Sequence, residues 1–120
     1  VNRVSVPAAA KDPDEVVKLF EAAMTRQTKV LSITYISNTS GFRLPAKHLR
    51  STATQRGAHC HVDGAQTWGF LNLNLSDIGC DSYAASAHKW LMGPKQVGVL
   101  CVRKERIAQI IGRLWRGITV

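Results

Sequence analysis

The segment Val30-Leu-Ser-Ile-Thr-Tyr-Ile36, the stretch from Pro45 to Gly57, and Ala58-His-Cys-His-Val62 together decide the fold. The first is dense in β-branched and aromatic residues and reads as a strand. Asn38 to Gly41 carries turn chemistry, Pro45 can open a helix, and Gly57 can end it. Ala58 to Val62 is a second strand that runs straight into Asp63-Gly64. Strand, helix and strand over roughly 30 residues form a βαβ unit, which implies parallel strands and a right-handed crossover.

Upstream, Asp12 has the character of an N-cap, Pro13 that of a first helical residue, and Glu15 completes D-x-x-E. Val16, Val17, Phe20, Ala23 and Met24 then recur at helical spacing, and Arg3 to Val6 offers a further strand. Downstream, Ser82 to Ser86 and Val97 to Val102 read as short strands, with a helix from Lys104 to Ile111 after them. The expected class is α/β: a mostly parallel open sheet with flanking helices. Such sheets bind ligands beyond the carboxyl ends of their strands. Three polar sets fall at those ends: Asn38 after the first strand, Asp63 after the second, and Ser86-Ala-His-Lys89 after the third.

The 120 residues suit one domain, and 45% apolar with 20% charged residues is a globular composition, not that of a disordered tail. No apolar run approaches the ~20 residues of a membrane span, and no signal-peptide core stands at the start. Three cysteines without C-x-x-C spacing point to a reducing compartment, the cytoplasm, and away from structural zinc. His59 and His61 share a strand face, but no third ligand stands at a metal-site spacing, so they read as strand alternation. Cys60 and Cys101 read as small buried residues, and Trp68 as loop packing or the edge of a pocket. A formal charge of +8 leaves an alternative open, a non-enzymatic basic module binding a polyanion such as nucleic acid. Its 16 cations are scattered, however, with no stripe interleaved with aromatics.

Asp63-Gly-Ala-Gln66 followed by Ser86-Ala-His-Lys89-Trp90 resembles the class V aminotransferase family, pyridoxal-phosphate enzymes of fold type I. Ser37-Asn-Thr-Ser-Gly-Phe-Arg-Leu-Pro45 and Gly93-Pro-Lys-Gln-Val-Gly98 extend the likeness over about residues 30 to 106. Within the family, Asp63-Gly-Ala-Gln-Thr-Trp-Gly69 is most similar to the isopenicillin N epimerase-like branch. The resemblance implies pyridoxal 5'-phosphate as cofactor, an amino acid as substrate and a homodimeric enzyme, with no nucleic-acid or membrane partner. It implies that Lys89 forms the Schiff base with the cofactor aldehyde, for which its amine must be neutral. Asp63 would hold the pyridine nitrogen protonated, so that the ring accepts electrons. Gln66, one helical step after Asp63, and Asn38 would bond the ring's 3-oxygen, while Ser86 and His88 would help hold the phosphate.

The family pattern also includes an upstream phosphate-gripping segment and a C-terminal small domain with a substrate-carboxylate arginine. Neither is legible here, and the tail with Leu114, Trp115, Ile118 and Val120 is oddly apolar. The expectation is that residues 1–120 are the central part of a larger cofactor domain, inactive alone. Cysteine desulfurases need a nucleophilic cysteine in the C-terminal region, and none of Cys60, Cys80 or Cys101 corresponds to it. Transamination, epimerisation and carbon–sulfur lysis all remain open as the reaction.

Overall fold

The computed structural model describes residues 1–7, 10 and 12–110. Four strands lie side by side in chain order: β1 (Val30–Thr34), β2 (His59–Asp63), β3 (Ser82–Ser86) and β4 (Gly98–Val102). β1, β2 and β3 are parallel, with Leu31 opposite Cys60 and Val62 opposite Tyr83. β4 runs antiparallel to β3, pairing Tyr83 with Cys101. The connections explain the switch. Helix α2 (Ala46–Gln55) carries the chain from β1 to β2. The loop from 87 to 97 holds no helix and is shorter than the dozen or so residues a parallel return needs, so the chain doubles back.

Alternation along the strands sends Leu31, Ile33, Cys60, Val62, Tyr83 and Ala85 to one buried face. Helix α2 covers it with Leu49 and Ala53, and α1 (Pro13–Ala23) adds Val16 and Phe20. Leu49 and Val16 are wholly buried, each contributing roughly 2–3 kcal/mol of apolar transfer. Asp12 caps α1 as expected, its carboxylate accepting from the Asp14 N–H at 2.9 Å. Gly57 sits two residues past α2 at φ +67°, in the left-handed region where a Cβ is penalised.

Some expectations need correction. Arg3 to Val6 forms no strand. Its Val4 and Val6 pack sideways against the core, and Asn2 Nδ2 donates to Ala23 O at 3.3 Å. Cys101 is exposed, because β4 ends the described sheet and α2 packs mainly over β2 and β1, at the other side of it. Residues 104–106 form a 3-10 turn that continues as helix over 107–110. The end of that expected helix, and the apolar set at Leu114, Trp115, Ile118 and Val120, lie outside the described residues. No helix among the described residues is long and apolar enough to cross a membrane.

Candidate functional site

The carboxyl ends of β1, β2 and β3 bring three loops to one edge of the sheet. Asp63 closes β2, half-buried, and its Oδ1 accepts from the Ala65 N–H at 2.8 Å in an Asx turn. Among the described residues no hydrogen bond takes Oδ2. The backbone ties this point to both neighbours: the Asp63 carbonyl accepts from Tyr35 N at 2.8 Å, and Gly64 N donates to Ala84 O at 2.7 Å. Gln66 follows in a run of turns spanning 65–70, not a helix, so its expected helical step from Asp63 is replaced by turn geometry. The reason is local: Thr67 N bonds back to Gly64 O at 2.8 Å, closing a tight turn.

Behind this turn lies a buried polar knot. Thr67 Oγ1 donates to Gly64 O and accepts from Tyr83 OH, both at 2.9 Å. Burial raises the Tyr83 phenol above its usual value, against the pull of its Thr67 bond, so it stays a protonated donor. Gly64 touches that ring: a Cβ there would land on the Tyr83 ring carbons and hydroxyl. Because Tyr83 is buried and bonded, the ring cannot step aside. Gly64→Ala is expected to destabilise the protein by about 1–3 kcal/mol, read as a lower urea midpoint. An unchanged midpoint would mean that the turn is not clamped this way.

Ser86 ends β3, and His88 and Lys89 stand in the turn after it, Lys89 half-buried and His88 exposed. Ala87 pins this turn from both sides, donating its N–H to Val97 O at 2.9 Å and accepting from Gly93 N at 2.8 Å. The Asp63 and Lys89 loops then lock together. Gly69, at φ +83°, lies so close that a Cβ would be 2.7 Å from the Leu91 backbone. Trp90 Nε1 donates to Gln66 Oε1 at 3.0 Å, and the Trp90 and Phe70 rings stack with centroids 4.7 Å apart. Asn38 is exposed in the turn beyond β1, which Ser37 Oγ organises by accepting from the Thr39 and Ser40 N–H groups at 3.3 Å. The structure thus joins the Asp63–Gln66 and Lys89 loops directly, while Asn38 sits on the adjoining loop without a bond to them. The side chains of Asn38, Ser86, His88 and Lys89 make no hydrogen bond among the described residues. These loops carry a carboxylate, an amide, a hydroxyl, an imidazole and an amine, a set of groups whose chemistry fits a polar aromatic phosphate. A groove of about 870 Å³ lies elsewhere, along β1 between the N-terminal segment and α1, and shares none of these residues.

Other singled-out residues resolve differently. His59 Nε2 and His61 Nδ1 both lie 2.8 Å from Ser82 Oγ, a hydroxyl that can donate to only one of them. Among the described residues no three His, Cys, Asp or Glu gather as a metal would require. Burial, with Cys80 and Asp81 adding to it and Arg50 opposing, pushes the Cys60 thiol up to about 12, so it is an inert packing group. Trp68 packs against the core. Sequence reasoning missed Asp81. Buried beside β3, it accepts from Cys60 N at 2.8 Å and pairs with Arg106 Nε at 2.9 Å. Arg103 and Arg50 meanwhile both donate to the Gly79 carbonyl. Arg103 and Arg106 therefore anchor the chain after β4.

The family model "Aminotransferase class-V" matches residues 3–117, and the chain belongs to that family. It is 40% identical over 105 residues to isopenicillin N epimerase of Streptomyces clavuligerus, covering 88% of this chain and 26% of that protein. It is 46% identical over 88 residues to isopenicillin N epimerase of Amycolatopsis lactamdurans, covering 73% and 22%. Among solved structures, the apo cysteine desulfurase of Thermococcus onnurineus NA1 is similar at a TM-score of 0.71 and 28% identity, over 88% of this chain and 25% of that one. The chain spans about a quarter of the length of the curated relatives it matches.

Proposed function

We propose that this chain is the lysine-bearing core of a pyridoxal-phosphate-dependent enzyme of the class V aminotransferase family, acting on an amino acid. The observation that carries the reading is the locking of the Asp63–Gln66 turn onto the Lys89 turn at the carboxyl edge of the parallel strands. When bound, the cofactor supplies an electron sink for the substrate's α-carbon. Asp63 holds the proton on its ring nitrogen. Gln66 and Asn38 bind its 3-oxygen, and Ser86 and His88 help to hold the phosphate. Lys89 Nζ would hold the cofactor at its aldehyde and, released as a free amine when the substrate's amine takes its place, would move the α-proton. Whether the outcome is transamination, epimerisation or carbon–sulfur lysis is set by residues that position the substrate.

Residues 1–120 are read as the central part of a larger cofactor domain, without activity alone, supported by the quarter-length match to relatives. A homodimer is proposed for the whole enzyme, supported by the exposed apolar set Phe70, Trp90, Leu91 and Met92 beside the site. The cytoplasm is proposed as its compartment, supported by three free thiols.

The test is chemical. The full-length protein is incubated with pyridoxal 5'-phosphate, reduced with borohydride and mapped by peptide mass. The adduct is expected on Lys89. An adduct on Lys95 instead, or none, removes the proposal.

A further inference from the structure

Trp90 stands next to Lys89 in sequence but reaches across to the other loop, where its indole N–H meets Gln66 Oε1 at 3.0 Å. An indole nitrogen can only donate. The Gln66 atom facing it must therefore be the amide oxygen, which leaves both hydrogens of Nε2 to a different partner. An amide nitrogen suits an acceptor such as a phenolic oxygen, and an amide turned the other way would present oxygen to oxygen. The indole is held for this task. Phe70 stacks on it with ring planes tilted by 31°, and the missing Cβ at Gly69 lets the two loops approach. Trp90 is also 52% exposed, so it fills no core position that would account for its size.

We propose that Trp90 is a positioning residue: by occupying Gln66 Oε1 it turns the Gln66 amide so that its N–H2 group faces the cofactor's 3-oxygen. The inference rests on the cofactor reading above and adds to it the residue that fixes which way the Gln66 amide points. Because the donor belongs to the residue after Lys89, a shift of the lysine turn also shifts the amide.

The experiment uses apo full-length protein titrated with pyridoxal 5'-phosphate, reading the dissociation constant and the pH midpoint of the visible cofactor band. Trp90→Phe keeps an aromatic ring against Phe70 and removes only the donor. It is expected to weaken cofactor binding about fivefold, the scale of one hydrogen bond, and to move the pH midpoint. Gln66→Glu, which keeps acceptor oxygens for Trp90 but has no amide hydrogens, is expected to weaken binding at least as much. In a Gln66→Ala background, Trp90→Phe is expected to add less than about twofold, because its effect passes through Gln66. An equal penalty in both backgrounds, or none in either, overturns the positioning role while the cofactor reading stands. Unchanged binding in Gln66→Ala overturns the assignment of Gln66 itself, and the proposal with it.

Discussion

Asp63→Asn in the full-length protein is expected to slow exchange of a substrate α-proton into D2O by about a hundred- to a thousandfold, with little change in thermal stability. The substitution separates two duties of one side chain. The amide that replaces the carboxylate keeps an Oδ1 able to accept from the Ala65 N–H, so the Asx turn that shapes the loop survives. The negative charge is what disappears. In the proposed site that charge faces the pyridine nitrogen, and a preorganised charge of this kind is worth on the order of 3–4 kcal/mol of barrier. Asp63→Ala removes both duties and is expected to lose stability as well as rate. The readouts are NMR loss of the α-proton, on whichever amino acid the wild type exchanges fastest, and the melting midpoint. A rate for Asp63→Asn within about threefold of wild type, far short of the loss of a preorganised charge, would show that the carboxylate is a turn-former only.

Asp81→Ala is expected to cost about 3–4 kcal/mol at neutral pH, the largest stability loss predicted for this chain. The substitution strands the buried Cys60 N–H, frees Arg106, and removes one of the two side-chain anchors of the segment after β4, Arg103 keeping its bond to Gly79 O. Burial alone would raise the Asp81 carboxyl, and it is the largest single influence. The Cys60 N–H, the Arg106 guanidinium and charge at His59 together outweigh it and hold the group below the usual carboxylate value. The sign of the pH dependence follows. Because the folded form holds its proton less tightly than the unfolded form, the stabilisation is complete above about pH 4, the unfolded value. It is lost as pH falls through the lower folded value. The gap between wild type and Asp81→Ala in urea midpoint is therefore expected to narrow from about pH 7 to about pH 3. A gap of constant size would exclude a charged role for Asp81.

Much of the sheet was legible because its signals are local. The β1–α2–β2 unit declares itself through β-branched runs, a helix-opening proline and a helix-ending glycine. Ser82 to Ser86 emerges with the predicted bounds. The position of Asp63, Ser86 and Lys89 at strand ends follows from the same pattern. What stayed hidden depends on pairs distant in sequence. Asp81 finds Arg106 twenty-five residues away, and nothing in the local order of Lys104-Glu-Arg106 marks one cation as a partner. Cys101 alternates like a buried residue, yet its exposure depends on where the covering helices end. The Gln66–Trp90 bond required knowing that two loops meet. The expected helical step from Asp63 to Gln66 failed because Gly64 and Thr67 close a turn there, a preference that side-chain spacing does not reveal.

The reversal at β4 gives the two loops of the site a common support. The Asp63 turn is tied to β3 through the Gly64 N–H on Ala84 O and through the Thr67–Tyr83 bond. The Lys89 turn is fastened by Val97 O, eight residues further on, and by β4, which pairs with β3 along its length. The carboxylate loop and the amine loop therefore both lean on the β3–β4 pair, so a change that loosens β4 reaches both.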